Sequence, residues 1–187
     1  MSDNYRKIFK IAFPSIATNI SVPLLGFADM AIVGHIGAAP YIAAVSLGAA
    51  MISLLYWNFG FLRMSTTALT AQALGARRLG VCCQVLVRAL VIAMIGAVLI
   101  LLIKNLIIDL VLRYSQASVE TEELTSRYIN ICLLGAPASL ATYTFKGWLV
   151  GMQNTKSTMY IAVGENMLNV LLSALFVFAF GFGIEGI

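Results

Sequence analysis

One carboxylate, Asp29, stands in the middle of PLLGFADMAIVGHIG, residues 23–37, a stretch otherwise compatible with lipid. It lies about 17 residues, roughly 25 Å, past the start of the apolar segment, which places it in the outer half of a bilayer. An ionised carboxylate there costs several kcal/mol unless it is paired, hydrated or protonated. An acid whose surroundings alternate between those conditions exchanges a proton as its helix moves, so it can couple protonation to conformation. The competing reading is that Asp29 caps a kink or pairs permanently with Arg63. The cost of keeping an acid in oil favours the functional reading.

Two further polar groups interrupt the apolar sequence. In FGFLRMSTTALTAQ, Arg63, Thr66, Thr67 and Thr70 share one helical face, a stripe suited to a cavity or a protein interface rather than to lipid. Arg63 is either a counter-ion for Asp29 in one state or a residue that snorkels to a membrane surface. In GENMLNVLLSALFVF, Asn166, Asn169 and Ser173 stand at i, i+3 and i+7, with Glu165 one turn before Asn169. Their amide and hydroxyl oxygens suit a hydrogen bond to protonated Asp29 or ligation of a small hard cation. Interhelical hydrogen bonds that only hold a bundle together account for them equally well.

Tyr143, flanked by Thr142 and Thr144, is a candidate for the same cavity. His35 is placed to sense pH or simply to be solvated. Trp57, with Tyr56, Phe59, Phe61 and the eight Met, suits an adaptable apolar pocket for organic cations, though packing and lipid contact are the commoner roles. Substrate-cavity candidates are therefore Arg63, Tyr143, Trp57 and Glu165, and ion- or proton-coupling candidates Asp29, Asn166, Asn169 and Ser173.

The elements that must position these groups are membrane helices. The chain is 60% hydrophobic and 11% charged, with a mean hydropathy of +0.92, outside the range of soluble domains. Apolar runs of about 20 residues or more, enough to cross a bilayer, fall at roughly 8–34, 40–72, 80–103, 128–150 and 158–181. The expected fold is all-α: a polytopic bundle of about five transmembrane helices with no soluble domain. Arg6, Lys7 and Lys10, then Arg77 and Arg78 with Arg88, then Lys156 near Lys146 alternate onto one face, which sets the N-terminus in the cytoplasm. That topology accounts for the net charge of +4 without a nucleic-acid partner. The basic start runs into a long apolar stretch without a cleavage pattern, so a removed signal peptide is not expected.

Cys82, Cys83 and Cys132 have no metal-site spacing and read as small packing residues. A single histidine, with no paired catalytic acids, argues against an enzyme, a zinc site or a His-based triad. No metal or cofactor is expected beyond a coupling ion.

Along the chain, Pro14 and Pro23 predict a bent first helix, and Pro137 a bend in the fourth span. Span two is too long for a straight crossing, so tilt or extension toward the Gly75-Ala76-Arg77-Arg78 turn is expected. Residues 104–127, with Asp109 and Arg113 four apart, read as a partly amphipathic helix on the outer surface. Gly147 and Gly151 form a GxxxG pair, which in a glycine-rich membrane chain says little by itself. The chain stops at GFGIEGI directly after the fifth span, like a piece of something larger.

FPSIATNISVPLLGFADMAIVGHIG, YWNFGFLRMSTTALTAQALGAR, GAPASLATYTFKGWLVGMQNTKSTM and ENMLNVLLSALFVF together resemble the multidrug and toxic compound extrusion (MATE) family, in its DinF-like bacterial branch. The resemblance runs over essentially the whole chain. It implies a twelve-helix antiporter of the bacterial inner membrane, built of two six-helix lobes, that exports organic cations or amphipathic drugs against proton or sodium entry. This chain would then be most of the N-terminal lobe, lacking the sixth helix and the C-terminal lobe that would be its partner, and alone would not transport. The family's first-helix acid falls on Asp29 and its fifth-helix asparagine on Asn169. A second acid often follows that asparagine by four residues. Here the place is held by Ser173, which counts against a sodium site in this lobe and for proton coupling through Asp29.

The expected mechanism is drug/proton antiport by alternating access. Rivals are a lipid-linked oligosaccharide flippase, which calls for more cationic side chains around a cavity than Arg63 alone, and a non-transporting membrane assembly subunit, in which Asp29→Asn leaves every activity unchanged.

Overall fold

The structure, a computed structural model, describes residues 23–35, 39–115 and 118–181, together with Ile16 and Ile20. The basic N-terminal residues Arg6, Lys7 and Lys10, the bend expected at Pro14 and the closing residues after Gly181 lie outside the described residues. The described chain is helical, and it divides into two compact units, Gly37–Met152 and a second made of Met1–Ile36 with Gln153–Ile187.

The larger unit is built from α2 (Ala39–Trp57), α3 (Gly60–Gly75), α4 (Leu79–Ser115), α5 (Val119–Leu134) and α6 (Ala136–Gly151). The α2–α3 stretch has no proline between Pro40 and its end, yet it breaks into two helices at Asn58 and Phe59. The Asn58 side-chain amide donates to the Leu54 carbonyl at 2.8 Å, competing for the acceptor that the helical backbone uses. Gly60 follows and weakens helix continuation. This break is absent from the sequence reading, which treats residues 40–72 as one rod.

α4 also differs from expectation. It runs for 37 residues, about 55 Å, against a hydrocarbon core of about 30 Å. Residues 104–115 therefore do not start a separate surface helix; they continue α4, because LIIDLVLRYS contains no residue that interrupts backbone hydrogen bonding. Residues 119–127 instead open α5, whose N-terminus is capped by the Ser118 hydroxyl accepting from the Thr121 N–H, with Glu120 and Glu122 in the first turn. The fourth apolar stretch is likewise two helices, interrupted at Gly135. Pro137 has no N–H to give and sits in the first turn of α6, where none is needed.

The core of this unit gathers Leu62, Ala93, Ala97, Ile129, Leu133 and Leu140. α4 presents small residues every fourth position, Ala89, Ala93 and Ala97, all buried, which lets neighbouring helices come close. Trp148 of α6 donates its indole N–H to the Cys82 carbonyl of α4 at 3.0 Å. At the α3–α4 turn, Arg78 N–H bonds Ala73 O and Arg77 N–H bonds Leu74 O, both at 2.9 Å, a Schellman closure with Arg77 in the left-handed region at φ 56°.

The smaller unit contains α1, described over residues 23–35, and α7 (Thr155–Ala174), which continues as a π-helical turn, Leu175–Ala179. Asn154 caps α7, its side chain accepting from the Ser157 N–H at 3.2 Å. The His35 ring meets Phe178 edge-on, with centroids 6.1 Å apart.

Candidate functional site

Asp29 lies on α1, partly buried, and its Oδ1 is shut from solvent with no hydrogen-bond partner among the described residues. A buried acceptor in that state is costly, because its water has been removed and nothing replaces it. Six residues on, a His35 ring nitrogen bonds the Ala31 carbonyl at 2.8 Å, so that the exposed imidazole is also tied to its own helix and meets Phe178 edge-on.

On α7 the polar residues split. Ser173 is 3% exposed and Asn166 is partly buried, while Asn169 and Glu165 are exposed. The reason is angular: seven residues return almost to the same azimuth, whereas a three-residue step falls about 60° short. Asn166 and Ser173 therefore share a face, with Asn169 at its edge. Among the described residues no cluster of three His, Cys, Asp or Glu could hold a metal ion.

The candidates in the larger unit are also separated. Thr66 and Thr70 are buried, while the Arg63 and Trp57 side chains are exposed, Trp57 at 79%. The threonine face of α3 divides: Thr67 and Thr70 pack against α6, the Thr67 hydroxyl lying 2.8 Å from Arg63 O and 2.9 Å from Gly147 O, while Thr66 lines a groove between α3 and α4. Tyr143 stands edge-on to Tyr56 at 6.4 Å and within electrostatic reach of the Arg63 guanidinium. Arg63 and Tyr143 thus lie within electrostatic range of each other, and Trp57 is largely exposed.

Sequence reasoning used Arg78 and Arg88 only to set topology, and both line a groove between α3 and α4. Their signal was available: from Arg78, positions 81, 85, 88 and 92 fall on one helical face.

Compared with known proteins, the chain matches the MatE family profile over residues 14–175. The chain belongs to the MatE family. DNA damage-inducible protein F of Escherichia coli K12 is 37% identical to this MatE chain over 186 residues, covering 100% of it and 40% of that protein. A probable multidrug resistance protein NorM of Bacillus cereus is 24% identical over 184 residues, covering 97% of the chain and 40% of the relative. Among solved structures, a MOP superfamily transporter from Pyrococcus furiosus superposes with a TM-score of 0.86 at 26% identity, over 96% of this chain and 39% of that one. The MatE chain spans about 40% of the length of these relatives, and the part of the E. coli protein it matches is the N-terminal lobe. Its fold is that of a polytopic all-α membrane bundle, most of one lobe of a MATE-type transporter.

Proposed function

We propose that this chain forms the proton-coupling lobe of a secondary antiporter that exports organic cations or amphipathic drugs across the bacterial inner membrane, with its N-terminus in the cytoplasm. The observation that carries the reading is the buried oxygen of Asp29, which has no hydrogen-bond partner among the described residues. An acceptor left in that state gains a partner when it binds a proton, or when a rearrangement brings a donor to it.

Ser173 is the donor best placed for the second role. In the proposed topology the first and fifth spans run in the same direction, and the His35–Phe178 contact sets their register. Asp29 precedes His35 by six residues and Ser173 precedes Phe178 by five, about 9 and 7.5 Å along the axes, so the two fall at one depth. Asn166, Asn169 and Glu165 continue the polar side of α7, and within the larger unit Arg63 and Tyr143 are the candidates for substrate contact.

Alternating access then requires that protonated and ionised Asp29 prefer different arrangements of α1, since a ligand shifts an equilibrium only by its differential affinity for the two states. Proton entry at Asp29 drives the state that releases substrate outward. The test is export by the complete carrier in proteoliposomes under an imposed proton gradient, with sodium present or absent. Transport that follows the sodium gradient and ignores the proton gradient overturns the proton reading.

A further inference from the structure

Between α3 and α4 runs a groove of about 510 Å³. Its α3 wall is Phe61, Ser65, Leu69 and Gln72, and its α4 wall Val81, Val85, Arg88 and Ile92, with Arg78 at the mouth. Phe61, Leu69 and Ile92 are each about half exposed, so the floor is apolar and open. Neither Arg78 nor Arg88 has an ion-pair or hydrogen-bond partner for its side chain among the described residues.

Depth fixes what can meet these cations. α4 outruns the bilayer, and its longest stretch without a charge lies between Arg88 and Lys104, about 24 Å apart along the axis, so those two residues lie close to the two edges of a hydrocarbon core of about 30 Å. Arg88 therefore sits where acyl chains meet headgroups, and Arg78, ten residues earlier, lies about 15 Å further out along the axis. Phe61 and Ile92 lie on the hydrocarbon side of Arg88. The first turn of α4, beside Arg78, carries no acidic residue to offset its positive helix end.

We propose that this groove binds an anionic phospholipid, its phosphate held by Arg88 and Arg78 and an acyl chain that passes Leu69 to lie along Phe61 and Ile92. Charge complementarity selects an anion, and the half-exposed Phe61 and Ile92 inside the hydrocarbon boundary select one with an alkyl chain. Guanidinium groups suit phosphate through their forked donors, and basic pockets at the membrane edge between helices are a recurrent headgroup site.

The test is native mass spectrometry of the protein in non-ionic detergent, titrated with phosphatidylglycerol and with phosphatidylcholine of the same chains. The unaltered protein retains phosphatidylglycerol at least about tenfold more tightly, and R78Q/R88Q lowers it to the phosphatidylcholine level. L69W, which fills the groove and leaves both charges, loosens both lipids and decides alone if the double variant fails to fold. Equal retention of the two lipids by the unaltered protein, undiminished retention by L69W, or displacement of phosphatidylglycerol by equimolar inorganic phosphate overturns the proposal.

Discussion

Gly147 of α6 lies directly against the backbone of Arg63 on α3: a Cβ at residue 147 would stand 2.6 Å from the Arg63 carbonyl oxygen and 3.1 Å from its Cα. One turn on, a Cβ at Gly151 would meet Thr70 Cβ at 2.6 Å and Thr67 O at 2.8 Å. The GxxxG pair is therefore the contact that seats α6 on α3, and the Thr67 hydroxyl crosses it to Gly147 O. Because the opposing atoms are backbone or β-carbon, neither helix can yield by a rotamer change.

Gly147→Ala and Gly151→Ala should each destabilise the protein by about 1–3 kcal/mol, the usual range for overpacking. Thermal unfolding in detergent reads the loss. Gly164→Ala is the control: nothing lies within 4 Å of a Cβ there, so its melting temperature should hold or rise. Equal melting of all three variants and the parent would contradict the close approach.

The turn before α4 makes a second prediction of opposite sign. Arg77 occupies the left-handed position that glycine usually fills. Arg77→Gly should stabilise the fold by about 1 kcal/mol and Arg77→Val should weaken it, since a β-branched side chain tolerates that region poorly. The same melting measurement orders the three proteins.

Cys82 and Cys83 are adjacent yet opposite in environment. Cys82 is 1% exposed, its thiol directed to Thr70 O, and Cys83 is exposed. Cys83 lies five residues, about 7.5 Å along α4, on the α3–α4 turn side of Arg88, which places it at the membrane edge although the apolar run 80–103 includes it. A membrane-impermeant maleimide should label Cys83 in inverted vesicles and leave it untouched in intact spheroplasts, with Cys82 protected in both. Labelling from the outside would reverse the proposed orientation.

These positions show what the sequence can and cannot disclose. The interruption at Gly135 and Pro137 is legible, because proline lacks a donor wherever it stands. The interruption at Asn58 is not: one amide in an apolar run breaks the helix only if it turns back to Leu54 O, and that rotamer choice has no pattern. The turn GARR contains a glycine, yet the positive φ falls two residues later, on Arg77, because the Schellman bonds to Ala73 and Leu74 place the left-handed residue. Asp29 stands out in sequence since charge in oil is costly anywhere. The threonine stripe reads equally as cavity wall or as interface until Gly147 and Gly151 are seen against it. Asn169 looks equivalent to Asn166 by spacing, but the 60° shortfall of a three-residue step leaves it exposed.

The coupling reading makes its sharpest prediction at Asp29 and Ser173. Asp29→Asn keeps the shape and a hydrogen-bonding group but cannot gain or lose the proton, so proton-driven export by the complete carrier should fall to the leak rate of empty vesicles. Ser173→Ala removes one hydroxyl from a buried face; a single hydrogen bond is worth about 1 kcal/mol, so export should slow by roughly fivefold while still following the proton gradient. Asn169→Ala, on the exposed edge, should slow it less than Ser173→Ala. Initial rates of substrate movement at fixed gradient distinguish the three variants. If Asp29→Asn exports at the parental rate with the parental pH response, the proton is carried elsewhere and the buried carboxylate is a structural cap on α1.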